Sequence, residues 1–380
     1  MRIIVVGGGV LGTMHAAEAI GRGHQVVQLE REAEARGATV RNFGLVWVSG
    51  RAPAELSVTL RARELWERLG GMVAGIGFRA CGSLTVLRTE AELAVAKQAS
   101  NSPGAEDREF ELLDPVQARR RNPALRGDFL GALWCGRDAA VESRVALPAI
   151  RAHLLATGRY TFLPGREARR CVTRSGGGVS VHDQTGARHD ADLVVACPGA
   201  NLTGLAAELT AGLVGGLPVR PVRLQMMQTA PLGEPLPTAI ADGDSLRYYP
   251  AFAGAELDTL RATEPQQPVA AEHHMQLLCV QRAHGGLTIG DTHAYTEPFP
   301  FDLDEAPYDY LRGVVEALLG RPLPPVVRRW AGVYAQCADS AEIVHRVALD
   351  PALWLVTGPG GRGMTLAPAI AEDTANQAGL

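Results

Sequence analysis

The chain has 380 residues, 46% of them hydrophobic, with 43 glycines, 24 prolines and a formal net charge of -4. Single cores stop growing near ~250–300 residues, so two lobes are expected, and a small, mixed charge argues against nucleic acid or an anionic membrane as partner, leaving a small molecule. Six scattered cysteines, Cys81, Cys135, Cys171, Cys197, Cys279 and Cys337, with no C-x-x-C pair and no His/Cys cluster, predict free thiols in a reducing cytoplasm and no metal.

Arg2–Val6 is a short apolar run, and the glycines that follow interrupt it too early for a signal sequence; no later stretch approaches the ~18 apolar residues of a membrane span. Gly7–Gly12 turns into an amphipathic stretch, Thr13–Arg22, and Gln25–Leu29 is a second strand, together a β-α-β unit. Arg61–Leu69 has helical spacing, as does Glu90–Gln98 behind a Thr89 cap, with Asn101–Arg108 a polar loop. Asp114–Asn122 is a helix stopped by Pro123, and Arg144–Thr157 a longer one with Pro148 near its start. The alternating run from Tyr160 to Val181, broken at Gly176–Gly178, predicts a meander leading to the buried strand Ala191–Ala196, which Cys197-Pro-Gly-Ala200 ends.

From Pro218 to about Gly290 short alternating strands, Val222–Thr229, Leu246–Tyr249, Gln276–Gln281 and Leu287–Ile289, predict an antiparallel sheet. The tail returns to the pattern of the first residues, with strand Trp354–Thr357, glycine loop Gly358–Gly363 and helix Thr365–Ala378. The expected fold is therefore α/β, a discontinuous Rossmann-type cofactor domain (1–80, 140–215 and 325–380) interleaved with an antiparallel-sheet substrate domain (81–139 and 216–324).

Gly7-Gly8-Gly9-Val10-Leu11-Gly12 fits G-x-G-x-x-G between a strand and a helix, where absent side chains let backbone N–H groups reach a pyrophosphate at the positive helix end. Glu30, closing the second strand, suits ribose hydroxyls and repels a 2′-phosphate, which disfavours NADP. The small-residue loop Gly37-Ala38-Thr39-Val40-Arg41-Asn42-Phe43-Gly44 offers an extended dinucleotide a path inward. Gly358-Pro-Gly-Gly-Arg-Gly-Met-Thr365 is a second glycine-rich strand-to-helix junction; a helix start there stabilises negative charge on a reduced flavin, an anion that a nicotinamide does not form. Each motif also has a plainer reading, as a tight turn, a surface loop or a capped helix.

Val5–Glu30, Ala38–Gly44, Ala191–Asn201, Ile289–His293 and Thr357–Thr365 together resemble the D-amino acid oxidase, sarcosine oxidase and glycine oxidase family of flavoenzymes. Val40–Gly44, Gly290–His293, Trp330–Tyr334 and Gly360–Thr365 are similar to its branch associated with phosphonate breakdown, which acts on 2-aminoethylphosphonate-type amines. The resemblance implies a D-amino acid oxidase-like fold and FAD held by Gly7, Gly9, Val10, Leu11, Gly12, Glu30, Arg31, Ala38, Thr39, Arg41, Asn42, Phe43 and Gly44. It further implies contacts from Val172 (backbone, to adenine), Gly199, Gly360, Gly361, Gly363, Met364 and Thr365. Where some members carry a flavin-linked cysteine this chain has Gly332, which implies non-covalent FAD. The lysine that some sarcosine oxidases place above the flavin is missing too, since Lys97 is the sole lysine and falls in an outer helix; an imidazolium or guanidinium, such as His293 or an arginine, is one expected substitute, and an electron acceptor other than oxygen is the other reading.

The expected reaction moves a hydride from the carbon beside a primary or secondary amine to the flavin, giving an imine that water hydrolyses, with O2 as acceptor. Such a site must hold the C–H near its acceptor and keep the amine unprotonated. Arg247, on the strand expected at Leu246–Tyr249, and Arg362 are candidates for the substrate's acid group. Tyr248, Tyr249 and Trp330 are expected to line the site, with His293 and Tyr334 near the chemistry. Two alternatives stay open: a flavin dehydrogenase of a hydroxy acid or polyol phosphate that uses a non-oxygen acceptor, and an FAD-holding subunit of a larger complex. Carboxylate or phosphonate, primary or N-methylated amine, and oligomeric state are not legible.

Overall fold

Isoleucine and valine fill Arg2–Val6 on both faces, and such a strand needs cover on both sides. In the computed structural model, which describes residues 1–380, it lies inside a six-stranded sheet ordered 345–350, 353–357, 193–196, 2–6, 25–30, 160–164. All pairings are parallel except that of the edge strand His345–Asp350. Ile3 and Val5 face a core shared with the helices Val10–Gly21, Leu56–Met72, Ala146–Leu155 and Gly363–Gln377, with Trp66 completely buried among them. Ile4, pointing the other way as strand alternation requires, packs with Leu29, Val194 and Leu353 beneath a small sheet of Ala168–Thr173, Val179–Asp183 and Arg188–Ala191.

The meander expected from Tyr160 onward is thus divided: Tyr160–Pro164 joins the parallel sheet, and only the strands after it are antiparallel. The helix expected at Arg61–Leu69 runs longer, Leu56–Met72, behind a turn at Pro53–Glu55, and Asn101–Arg108 ends in a helical turn, Ala105–Arg108. Thr89 caps Glu90–Ser100, and Asp114 forms a full capping box with Gln117 on Pro115–Arg121.

The second sheet has eight strands, ordered 326–337, 219–231, 286–290, 278–281, 239–241, 83–87, 131–135, 110–113, antiparallel save for 239–241 beside 83–87. Val326–Cys337, assigned from sequence to the cofactor domain, pairs along its length with Val219–Pro231. Alternation splits the sheet's side chains: Met227, Leu287 and Ile289 pack under helix Glu305–Leu319, while Leu224, Met226 and Tyr334 face Phe43, Trp47 and Tyr249. That second face carries the site.

One predicted strand is a helix. Gly243–Tyr248 is capped by Asp242, whose carboxylate accepts from Ser245 N (3.3 Å) and Leu277 N (3.1 Å). Pro250 forces Tyr249 into extended backbone and ends the turn. No helix is long and apolar enough to cross a membrane.

Candidate active site

At the first glycine loop, a methyl group on Gly12 would meet the Gly7 carbonyl oxygen at 2.0 Å, so glycine is required where helix and strand cross. Gly8 N donates to Glu30 Oε2 (2.6 Å), and Glu32 N to Glu30 Oε1 (2.9 Å), which hold the carboxylate at the strand end with lone pairs to spare. The N–H groups of Gly9, Leu11 and Gly12 have no partner within the protein, so the helix start presents them to an anion.

Two side chains tie this loop to its counterpart at the other end of the chain. Thr39 Oγ1 accepts from Val10 N (2.9 Å), and Thr365 Oγ1 accepts from Trp47 N (2.9 Å). The segment 38–47 therefore spans from one glycine-lined helix start to the other. Asn42 folds back on it, with Nδ2 donating to Thr39 O (2.9 Å) and Oδ1 accepting from Gly44 N (2.6 Å), and Phe43 is buried against Gly290. Gly199 O accepts from Thr357 Oγ1 (2.9 Å), drawing the loop after Leu193–Ala196 to the same end of the sheet. Arg31 pairs with Glu32 (3.3 Å) at the surface, and Val172 is exposed on the small sheet.

Gly360–Arg362 lies against the strand Val326–Cys337, and a methyl group on Gly361 would sit 3.8 Å from the Tyr334 hydroxyl. Trp330, Gly332 and Tyr334 share one face of this strand. Arg41 packs against Gly332 and donates to Ala331 O (2.8 Å), while Trp330 Nε1 donates to Arg41 O (3.1 Å) with Arg144 stacked on its ring.

Around Tyr334 the structure gathers most of the expected aromatic groups. Tyr248 Oη lies 3.0 Å from His293 Nε2 with the rings stacked, and Tyr249 meets Tyr248 edge-on at 5.0 Å and Trp47 at 6.0 Å. His293 Nδ1 is 2.9 Å from the His274 carbonyl, so Nδ1 carries the proton and Nε2 accepts from Tyr248. Burial pushes the His293 pKa down to about 4. This corrects one expectation: His293 is a neutral, hydrogen-bonded imidazole and does not replace the missing lysine as a cation; Lys97 is exposed on its helix.

Neither predicted anion-binding arginine joins this cluster. Arg247 turns away because its helix does, pairing with Asp244 (3.1 Å) and donating to Glu264 O (2.6 Å). Arg362 is consumed by a buried ion pair with Glu55 and by the Glu342 carbonyl (2.7 Å).

Two charged groups that sequence reasoning passed over do reach the site. Arg51 is 8% exposed; its Nε donates to Trp47 O (3.0 Å) and no carboxylate lies within 4.0 Å of it, while Tyr249, the Glu55–Arg362 ion pair and Tyr248 surround it at longer range. The turn that carries it is fixed by Asp138, whose buried carboxylate accepts from Ser49 N (3.0 Å) and the Ser83 hydroxyl (2.6 Å). Gly50 makes room, since any side chain there would collide with the Tyr249 ring at 2.5 Å. Asp291, 6% exposed, accepts from Gln276 Nε2 (3.1 Å) and lies 3.8 Å from His293 Nε2, with no arginine or lysine paired to it. Burial pushes its pKa up to about 8, and burial, with a smaller addition from Asp291, raises those of Tyr248, Tyr249 and Tyr334. The only sequence signal was that Asp291 falls within Ile289–His293; nothing local marked Arg51. Trp47 Nε1 is buried without a partner, and Gln276 Oε1 and Tyr334 Oη have at most long contacts to Tyr249 and Tyr248, which leaves polar atoms here for a ligand to satisfy.

The sequence matches the family model described as FAD dependent oxidoreductase over residues 2–377. Among curated proteins it is 31% identical over 140 residues to the tRNA 5-methylaminomethyl-2-thiouridine biosynthesis bifunctional protein MnmC of Maricaulis maris, covering 36% of this chain. The chain spans less than half the length of the curated relatives it matches, 22% and 43%. Among solved structures it is similar to glycine oxidase from Geobacillus kaustophilus (TM-score 0.77, 19% identity, 100% of this chain and 95% of that one). It is also similar to the FAD-bound L-alpha-glycerophosphate oxidase from Mycoplasma pneumoniae (TM-score 0.76, 16% identity, 100% and 94%). At such identities these likenesses establish the fold.

Proposed function

The chain belongs to the FAD-dependent oxidoreductase family, and on that premise we propose that it oxidises small amines bearing an acid group, with dioxygen as acceptor, in the cytoplasm. The reading is carried by one observation: an arginine and an aspartate, each buried without an ion-pair partner of opposite charge, both reach Tyr249 in a tyrosine-rich site. A zwitterion supplies the partner each lacks. A hydroxy acid or polyol phosphate would satisfy Arg51 but offer Asp291 only a neutral hydroxyl, with no counter-charge for its carboxylate.

The unpartnered N–H groups of Gly9, Leu11 and Gly12 suit the FAD pyrophosphate, Glu30 its ribose, and Gly7, Val10, Arg31, Ala38, Thr39, Arg41, Asn42, Phe43, Gly44, Val172 and Gly199 complete the path. Gly360, Gly361, Gly363, Met364 and Thr365 at the last helix start take the ring system. When bound, FAD would supply the hydride acceptor for the carbon beside the amine, with dioxygen as the proposed final acceptor and hydrogen peroxide as its product. With glycine at position 332, packed on Arg41, no thiol stands there to bond the cofactor. Arg51 orients the acid through its fork of donors; Tyr248, held by His293, and Tyr249 with Trp47 wall the substrate in. Water then adds to the imine, releasing an aldehyde or oxo acid. The motifs similar to the phosphonate branch, Val40–Gly44 and Gly290–His293 among them, favour an aminoalkylphosphonate, N-methylated or not, within this class.

Anaerobic mixing of the yellow protein with glycine, sarcosine, D-alanine, 2-aminoethylphosphonate and its N-methyl form, beside glycolate and glycerol phosphate, tests the proposal. Loss of the flavin absorbance with amines, with the carbonyl product trapped, is the expected result. Bleaching by the hydroxy compounds alone would replace it with the dehydrogenase reading.

A further inference from the structure

An amine acid arrives at neutral pH with its nitrogen protonated, and a protonated nitrogen has no lone pair with which to form a C=N bond. The site must therefore remove a proton before the C–H bond breaks. Among the residues around Tyr334, His293 is unsuited to this, because its Nε2 already accepts from Tyr248 and its Nδ1 faces a carbonyl. The tyrosines are held in their neutral form, their pKa values raised by burial.

We propose that Asp291 pairs with the substrate's ammonium and takes its proton, so that the amine stands neutral before the hydride leaves. The inference rests on the amine reading above. In balance, the N–H bond breaks and an O–H bond forms on Asp291. The nitrogen lone pair then makes the C=N bond as the C–H pair departs as hydride to the family's flavin, and the proton stays on Asp291 until solvent removes it.

The placement supports this assignment. The Asp291 backbone N–H donates to Gln276 O (3.1 Å), and one carboxylate oxygen accepts from Gln276 Nε2, so the side chain is anchored from one side. The other oxygen lies on the side of His293 (3.8 Å) and has no cation. Facing it are Tyr248 and Tyr249 from the helix Gly243–Tyr248 and its end, Tyr334 from the edge strand, and Tyr295 and His293 from its own segment, none of them charged near neutrality. Phe43, from the expected cofactor loop, packs on the adjoining Gly290, which sets the carboxyl beside that loop. Burial raises the carboxyl's pKa to about 8, nearer both the operating pH and the range of an alkylammonium than an ordinary aspartate, as an efficient proton acceptor requires.

The test uses the full-length FAD-loaded protein and two ligands of one shape, trimethylammonioacetate and 3,3-dimethylbutanoate, which differ only in the cation. Neither is oxidised, and binding is read from the flavin spectrum near pH 9. The wild type is expected to prefer the cation by ~10-fold or more, and Asp291→Asn to reduce that preference to about twofold or less with little change for 3,3-dimethylbutanoate. With a reactive amine, wild-type kcat/KM should rise with pH through about 8. Asp291→Asn should be slower by ~10²-fold or more at neutral pH and keep gaining until the substrate's own ammonium titrates, whereas Asp291→Glu should restore the enzyme's limb. A cation preference and pH limb that survive Asp291→Asn would overturn the assignment. Because the binding comparison needs no turnover, it decides the role of Asp291 separately from whether amines are the substrates.

Discussion

Replacing Arg51 by methionine keeps the volume of the stem and removes the guanidinium. In the folded protein that group is buried, gives one hydrogen bond to Trp47 O and has no carboxylate within ion-pair distance, the nearby Glu55 being held by Arg362, so its main energetic return is expected when an anion binds. Truncating one partner of a buried, hydrogen-bonded charge pair costs about 2–5 kcal/mol, a loss of roughly 30- to 5,000-fold in affinity for the acid group. Stability should behave differently. Losing the bond to Trp47 costs about 1 kcal/mol, offset by relief of a desolvated charge, so Tm should move by only a few degrees. The assay is a titration of the FAD-loaded protein with acetate, read from the flavin spectrum, beside a thermal melt. If acetate binds Arg51→Met as it binds the wild type, while Arg247→Ala or Arg362→Ala loses it, the reasoning from buried charge is refuted.

Arg362→Ala strands Glu55 in the interior, and breaking such a buried pair costs about 3–5 kcal/mol; a clearly lowered Tm with near-normal KM in the surviving protein is expected, and a selective rise in KM would return Arg362 to the substrate. Gly12→Ala places a methyl group 2.0 Å from the Gly7 carbonyl, so the variant should purify without flavin absorbance at ~450 nm, and a yellow, stoichiometrically loaded variant would count against the pyrophosphate site. Stability should also depend on Asp291 through pH. Its folded pKa of about 8 exceeds the value near ~3.9 of an unfolded aspartate, so its contribution is complete below the unfolded value and is lost as pH rises through about 8. Asp291→Asn, which does not titrate, should therefore gain in Tm over the wild type from about pH 5 to about pH 8. His293, depressed to about 4, weakens both proteins alike in the acid range and cancels in the comparison; a constant Tm difference across that range would contradict the burial argument.

The two glycine junctions were readable because each is local: a strand, a turn without side chains and a helix follow one another in sequence, and Glu30 closes the first unit. The same holds for the cap at Thr89. Arg247 was misplaced because alternation in Leu246–Tyr249 outweighed the Asp242 cap and the Pro250 stop, and a strand reading aimed its side chain wrongly. Arg362 lies beside the glycine loop in sequence, yet its charge is spent on Glu55 from the far end of the chain. Arg51 and Asp291 carry the opposite lesson, since what distinguishes them is the absence of an oppositely charged partner at ion-pair distance, a property of the packed interior that no window of sequence contains.

The most direct measurement is a crystal structure of the FAD-loaded protein with trimethylammonioacetate. One continuous site is expected, the cofactor stretched between the helix starts at Gly12 and Gly363, the ligand's carboxylate on Arg51 and its cationic end against Asp291. A ligand whose carboxylate sits on Arg247 or Arg362, or a cofactor that contacts only one of the two glycine loops, would contradict it.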